Sequence, residues 1–218
     1  SMERSILAQS PLFAGIAPGA VDKMLTCLDI RRRTYPRDAY IYTAEEPPRE
    51  LGVVVSGSVH LIKEDYWGNR AIITKVAAGD IFGEACSCTA VKAMPVSVVA
   101  AEWSEILFLN YRKVTTTCPN ACPFHAALIQ NMLGLIARKN LMLTNKISHL
   151  VKRTTREKLL SYFSEQAELA GSSRFTIPYN RQQLADYLSV DRSAMSTELG
   201  KLRDEGLLSF RKNEFTLL

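Results

Sequence analysis

Between Pro123 and Pro178 the chain carries no proline, and the first half of this gap, FHAALIQNMLGLIARKNLMLTNKISHLV, keeps apolar residues three and four apart. A helix over residues 124–150, at about 1.5 Å per residue, would be about 40 Å long. Any fold must accommodate this rod and divide the rest of the chain between its two ends. Leu128, Met132, Leu135, Lys139, Met142, Lys146 and His149 mark one mixed stripe along it. Ile129, Met132, Ile136, Leu143, Ile147 and Leu150 mark a more apolar one, broken only at Lys139-Asn140. A long apolar stripe can pair with its own copy or lie across the strands of its own chain. One helix can do both on different faces.

Before the rod the period is that of strands. ELGVVVSGSVHLIKEDYWGNRAIITKVAAGDIFGEA is rich in β-branched residues and cut by Gly52, Gly57, Gly68, Gly79 and Gly83, with Gly68-Asn69 reading as a hairpin tip. PVSVVAAEWSEILFL continues the pattern: Val96, Val98 and Ala100 share one face, and Ile106 and Phe108 share another. Short strands at this spacing predict a small antiparallel barrel or roll. Residues 1–30 add two helix-like patterns, with Val21, Met24, Leu25 and Leu28 at helical spacing. Past the rod, HLVKRTTRE is a charged interruption. Thr154 or Thr155 caps a new helix that buries Leu159, Leu160 and Phe163 and stops at Gly171-Ser172-Ser173.

RQQLADYLSVDRSAMSTEL, from Arg181 to Leu199, is two short amphipathic patterns around a turn. The first buries Leu184, Ala185 and Leu188, and Ala185 is small enough to let two helices cross closely. Val190 plugs the turn, and Asp191 caps a second helix that buries Met195, Leu199 and Leu202. Arg192, Ser193, Ser196, Thr197 and Gly200 then share the other face. DEGLLSFRKNEFTLL follows as two strand-like pieces about Lys212-Asn213, the form of a wing. These are the requirements of a helix-turn-helix. A plain helical hairpin packing a core meets them equally well.

Charge is unevenly placed. Residues 1–105 hold 11 Lys/Arg and 13 Asp/Glu; residues 106–150 hold 5 and none; residues 151–218 hold 11 and 9. A basic middle and end suit an anionic partner such as nucleic acid, and a solvated positive face would look the same. No apolar run approaches the roughly 20 residues of a membrane span. The N-terminus has no basic stretch leading into an apolar one, so the expected location is the cytoplasm and the five cysteines are expected to be thiols.

From about Leu12 onward the chain resembles the cyclic-AMP receptor protein/FNR family of bacterial transcription regulators. The motifs are SPLF, GVVVSGSVHLI, AAGDIFGEA, the long helix and NRQQLADYLSVDRSAMSTELGKLRDEGLL. The resemblance implies an α+β fold: an N-terminal β-roll (a cyclic-nucleotide-binding-like jelly roll) for sensing over 1–122, a dimerisation helix and hinge over 123–152, and a C-terminal winged helix-turn-helix over 153–218. It implies a homodimer on double-stranded DNA with a palindromic operator, and leaves RNA polymerase as a further partner. Carried over by position, Arg192, Ser193, Ser196 and Thr197 read bases, while Arg181 and Gln182 anchor to phosphate. Lys201, Arg211 and Lys212 are weaker candidates. Glutamate is common in the family where Ser193 stands, and arginine where Thr197 stands.

The resemblance also places an effector pocket at Gly83, Glu84, Ala85, Cys86, Met94, Val96, Met142 and Leu143. Family members that bind cyclic nucleotides hold the phosphate with an Arg-Ser pair, and here those places read Met94-Pro95. Met142 and Leu143 replace the hydroxyls that meet the base. The expected effector is therefore a small molecule other than cyclic AMP, with no certain cofactor and no metal. The mid-helix Arg138 and Lys139 need relief from repulsion by water, by sensor carboxylates or by an anionic effector. An alternative is a redox- or metal-sensing regulator of the same architecture using Cys86, Cys88, Cys118 and Cys122, although neither spacing matches a strong metal motif. A metal-dependent β-roll enzyme needs several histidines on strands. Only His60 lies in the strand region, so no catalytic residue is assigned.

Overall fold

The computed structural model describes residues 9–47, 50–89, 91–116 and 122–218. The chain forms two compact units: residues up to Asn140 apart from 70–72, and Leu141–Leu218 with Arg70–Ile72.

In the first unit, turns at Pro11–Phe13 and Pro18–Ala20 lead into α1 (Val21–Cys27). The strands are β1 (Arg31–Tyr35), β2 (Tyr40–Tyr42), β3 (Leu51–Ser56), β4 (Ser58–Glu64), β5 (Arg70–Ala77), β6 (Ile81–Phe82), β7 (Ser97–Ala100) and β8 (Ser104–Leu109). They form two sheets ordered β1-β8-β3-β6 and β2-β7-β4-β5. A one-turn α2 (Glu84–Ser87) follows β6, and α3 (Tyr111–Thr115) follows β8. The β4–β5 tip closes as expected: Asp65 accepts from the Trp67 and Asn69 amides, and Gly68 supplies the positive φ.

Strand β8 is buried at every position, and its alternating side chains feed two different cores. Leu107 and Leu109 join Leu12, Met24, Leu28 and Leu128 on the helix side. Ile106 and Phe108 join Val54, Phe82, Met94 and Val98 inside the roll. Each such burial contributes roughly 1.5–3 kcal/mol, so a polar residue on either face would be costly. Gly52 on the neighbouring β3 permits a close approach: a Cβ there would lie 2.2 Å from the Phe82 ring.

The rod is α4 (Phe124–Leu150). Leu128, Met132 and Leu135 are buried against the sheet side of the first unit. Of the two uses open to the more apolar stripe, Met132 and Ile136 serve the packing against the strands of the same chain. Met132 belongs to the intramolecular core, and Ile136 packs against that core half-buried. The exposed stripe is turned round the helix: Leu133, Ala137, Asn140, Thr144, Ile147 and, one residue past its end, Val151. These positions alternate by four and three.

The second unit contains α5 (Thr155–Ala170), β9 (Arg174–Thr176), α6 (Arg181–Leu188), α7 (Arg192–Asp204), β10 (Leu208–Arg211) and β11 (Glu214–Leu217). Thr154 caps α5 in a reciprocal box with Glu157, and Gly171 ends it at φ 61°. The three strands are ordered β10-β11-β9. Phe163 stacks on Phe215 at 4.5 Å between ring centroids, and Phe175 stacks beyond, so the small sheet is pinned to α5 by aromatic faces. Leu159, Leu184, Leu199 and Leu208 complete this core.

Replacing Gly52 by alanine is expected to destabilise the first unit by about 1–3 kcal/mol, the usual cost of overpacking. Denaturant unfolding checks this, and adding Phe82→Leu should recover part of the loss. An unchanged midpoint for the single variant would contradict the contact.

Candidate nucleic-acid interface and effector pocket

Helix α6 begins at Asn180, whose side chain accepts from the Gln183 amide while Gln183 bonds back to the Asn180 amide. It ends at Ser189 with φ 52°, and the Val190 amide returns to the Ala185 carbonyl. This left-handed step turns the chain sharply. Asp191 then accepts from the Ala194 amide at 2.8 Å and starts α7. Leu184, Ala185, Leu188, Met195, Leu199 and Leu202 are all buried, the last three at 0, 1 and 0 % exposure in order. Leu202 also anchors the turn after α7, where its carbonyl accepts from Leu207.

With that underside fixed, Arg192, Ser193, Ser196 and Thr197 all face solvent, and Gly200 is half-buried between them and the core. The Thr197 hydroxyl donates back to the Ser193 carbonyl at 3.1 Å. Lys201 is exposed, 3.7 Å from Glu198. Gln182 is exposed and bonds Asp186. Arg181 is placed differently. Its guanidinium donates to the Lys212 carbonyl at 2.7 Å and lies over the Phe210 and Phe215 rings. It therefore braces the β10–β11 turn, on which Arg211 and Lys212 are exposed. The sequence carries no local signal for this role, because Arg181 and Lys212 are 31 positions apart.

The pocket candidates are set by the turn into α2. Gly83 caps it at φ 81°, and a Cβ there would crowd the Glu50 carbonyl at 3.1 Å. Cys86 and Met94 are buried with Phe82 and Phe108 in the roll, and Val96 packs against them. Ala85 is exposed. Met142 and Leu143 belong to the second unit, Met142 exposed and Leu143 half-buried. Glu84 is buried: its Oε1 accepts from the Lys139 ammonium at 2.6 Å, its Oε2 has no hydrogen-bond partner, and the same ammonium donates to the Ile81 carbonyl at 3.1 Å. Arg138 lies 3.7 Å from Asp80. Sensor carboxylates thus relieve the charge of the mid-helix pair. Burial holds the Asp80 carboxyl above its ordinary value, while these two cations pull it back.

Sequence reasoning missed a second cavity, of about 220 Å³, lined by Arg31, Arg33, Tyr35, Tyr42, Glu50 and Phe108 among others. It draws on strands far apart in the chain, so no local motif announces it. A larger polar groove of about 710 Å³ runs along α5 in the second unit. It is bordered by His149, which bonds both Ser161 and Glu165.

Cys86 is buried and Cys88 exposed, as expected for residues two apart on a helical turn. Burial, and then the nearby Glu84, push both thiols up. Cys118 lies outside the described residues. Cys122 has its sulfur 3.8 Å from that of Cys27, a pairing the sequence reading did not contain. Among the described residues no three His, Cys, Asp or Glu are grouped to hold a metal ion. Nor is any described helix long and apolar enough to cross a membrane.

Comparison with known proteins bears on these sites. Residues 32–119 match the cyclic nucleotide-binding domain model, and residues 157–218 match the Crp-like helix-turn-helix domain model. The chain is 29 % identical over 189 residues to the cyclic AMP receptor protein of Thermus thermophilus, covering 81 % of this chain and 86 % of that one. In fold it is similar to the c-di-GMP-responsive global regulator CLP of Xanthomonas campestris, with a TM-score of 0.75 at 19 % identity over 92 % of this chain and 99 % of that one. It is also similar to a CooA variant from Carboxydothermus hydrogenoformans, with a TM-score of 0.72 at 21 % identity over 89 % and 85 %. The β-rich unit, the long helix and the helix-turn-helix thus occur in the order shared by these proteins, and the chain belongs to the CRP/FNR family of DNA-binding transcription regulators.

Proposed function

We propose that the chain acts as a homodimer that reads a palindromic operator through α7 and is gated by a small effector other than cyclic AMP. The division of labour we assign is sensing by 1–122, dimerisation by 123–152 and DNA reading by 153–218. The observation that carries the reading is the orientation of α7: Arg192, Ser193, Ser196 and Thr197 lie outward over a fully buried Met195, Leu199 and Leu202. Arg192 can give a guanine two hydrogen bonds, and the serine hydroxyls can meet any base edge. Gln182 and Lys201 are placed for phosphates, which fix register without reading sequence. Arg181 contributes by holding the wing, and Arg211 and Lys212 lie on that wing. RNA polymerase is a further partner in this reading.

Dimerisation is supported by the exposed stripe of α4. Leu133 and Ile147 are 61 % and 59 % exposed, and Val151 is 68 % exposed, at the four-and-three spacing of a coiled-coil seam. Two copies placed face to face would bury them.

Two residues, Met94 and Pro95, speak against cyclic AMP. Met94 is buried where a phosphate-binding arginine is usual in the family, and Pro95 stands where the serine would be. One oxygen of Glu84 already accepts from Lys139, which leaves Oε2 for a ligand hydroxyl. The candidate positions Cys86, Met94 and Val96 are apolar, which suits a small, weakly polar effector.

Arg192→Ala is expected to weaken operator binding by about 1–3 kcal/mol while barely changing affinity for random duplex. Equal losses on both, by fluorescence anisotropy at one salt concentration, would make it a phosphate contact instead. Ile147→Glu sets two like charges across the seam and should convert a dimer to a monomer in sedimentation analysis; an unchanged dimer would remove α4 as the interface. Calorimetric titration with cyclic AMP should give no binding below about 1 mM, the level of an unspecific contact worth only about 4 kcal/mol. A micromolar constant would overturn the effector reading.

A further inference from the structure

The cysteine pair that the fold brings together is not one that the spacing suggested. Cys27 closes α1, and Cys122 precedes α4 by two residues, so 95 positions separate two sulfurs that lie 3.8 Å apart. Both are thiols in the structure. Cys27 is half-buried and reachable by a small oxidant, while Cys122 is buried beside Phe124 and Leu128 in the helix-side core. A disulfide needs sulfurs about 2.05 Å apart, so closure requires a movement of under 2 Å, on the scale of a side-chain rotation. The amino end of the 27-residue α4 also favours negative charge near Cys122. Cys86 and Cys88 compete poorly: one sulfur is buried and bonded to the Ala93 carbonyl, the other is exposed, and burial disfavours both thiolates.

We propose that Cys27 and Cys122 form an oxidisable dithiol, a modification site at which a peroxide drives an intramolecular disulfide that clips α1 to the start of the long helix. The Cys27 thiolate attacks one peroxide oxygen. An S–O bond forms, the O–O bond breaks, and the departing hydroxide is protonated to water. Cys122, losing its proton, then attacks the sulfenic sulfur. The S–S bond forms as the S–O bond breaks, and hydroxide leaves as a second water. In sum, two thiols and one hydrogen peroxide give one disulfide and two waters. The two sulfurs are oxidised by two electrons and the peroxide oxygens are reduced. The bond closes a loop of some ninety residues, so it constrains the unfolded chain strongly and should raise thermal stability. This inference rests on the thiols alone and is independent of how the protein reads DNA.

The test is treatment of the full chain with stoichiometric hydrogen peroxide, followed by thiol titration, tryptic mass mapping without reductant and thermal melting. The expected result is loss of two thiols, a linked species joining the peptides of residues 24–31 and 114–138, and a higher melting temperature that dithiothreitol reverses. Because the second peptide also contains Cys118, the measurement is repeated with Cys118→Ser, which should still link. Cys27→Ser should abolish the link, whereas Cys86→Ser should leave it intact. A linkage that forms through Cys86 or Cys88, one that disappears in Cys118→Ser, or retention of all five thiols would overturn the proposal.

Discussion

Three aliphatic side chains, Met195, Leu199 and Leu202, decide which side of α7 meets water. Their burial against Leu184, Ala185 and Leu188 removes rotational freedom about the helix axis. Everything functional in the second unit depends on that restraint. A helix free to roll by 100° would present Met195 to solvent and turn the serines inward. The Asp191 cap and the left-handed Ser189 fix where the helix starts, and Arg181 fixes the wing beside it. Orientation, starting point and flank are thus held by three unrelated interactions, none of which uses the outward residues. Those residues are therefore free to vary without disturbing the fold, and Ser193 and Thr197 depart from the family's common choices without a structural penalty.

The first unit relies on a different economy. A strand buried on both faces, such as β8, serves two cores at once, one inside the roll and one under the helices. Long α4 is seated by Leu128, Met132 and Leu135, and farther along by the pair between Lys139 and Glu84. That pair is largely buried, so removing one partner would leave a charge stranded in an apolar setting, at a cost of about 3–5 kcal/mol. In this arrangement one oxygen of the Glu84 carboxylate joins the turn after β6 to the long helix, while the other has no hydrogen-bond partner.

Much of this was legible in the sequence because it is local. The period changes at Arg31 and Phe124, Thr154 precedes Glu157 at box spacing, and the apolar positions of α6 and α7 repeat every three or four residues. The same local rules located the outward face of α7. What could not be read depends on distant pairings. Which of its two possible uses the stripe through Met132 serves could not be read, because nothing in its neighbourhood reveals that a sheet claims it. Arg181 looked like a surface anchor because its partners, Lys212, Phe210 and Phe215, arrive through the wing. Cys122 looked paired with Cys118 by spacing, yet the sulfur that meets it comes from α1. The second cavity, between β1, β2 and β8, belongs to the same class of feature.

In the proposed dimer, two copies of α7 read two like half-sites. Selection of bound duplexes from a random pool by the full chain, followed by sequencing, tests it most directly. The account requires an enriched inverted repeat whose half-site centres lie about 34 Å apart, one turn of the double helix. A pool with no enriched motif, or with a single motif lacking its inverted partner, would contradict it.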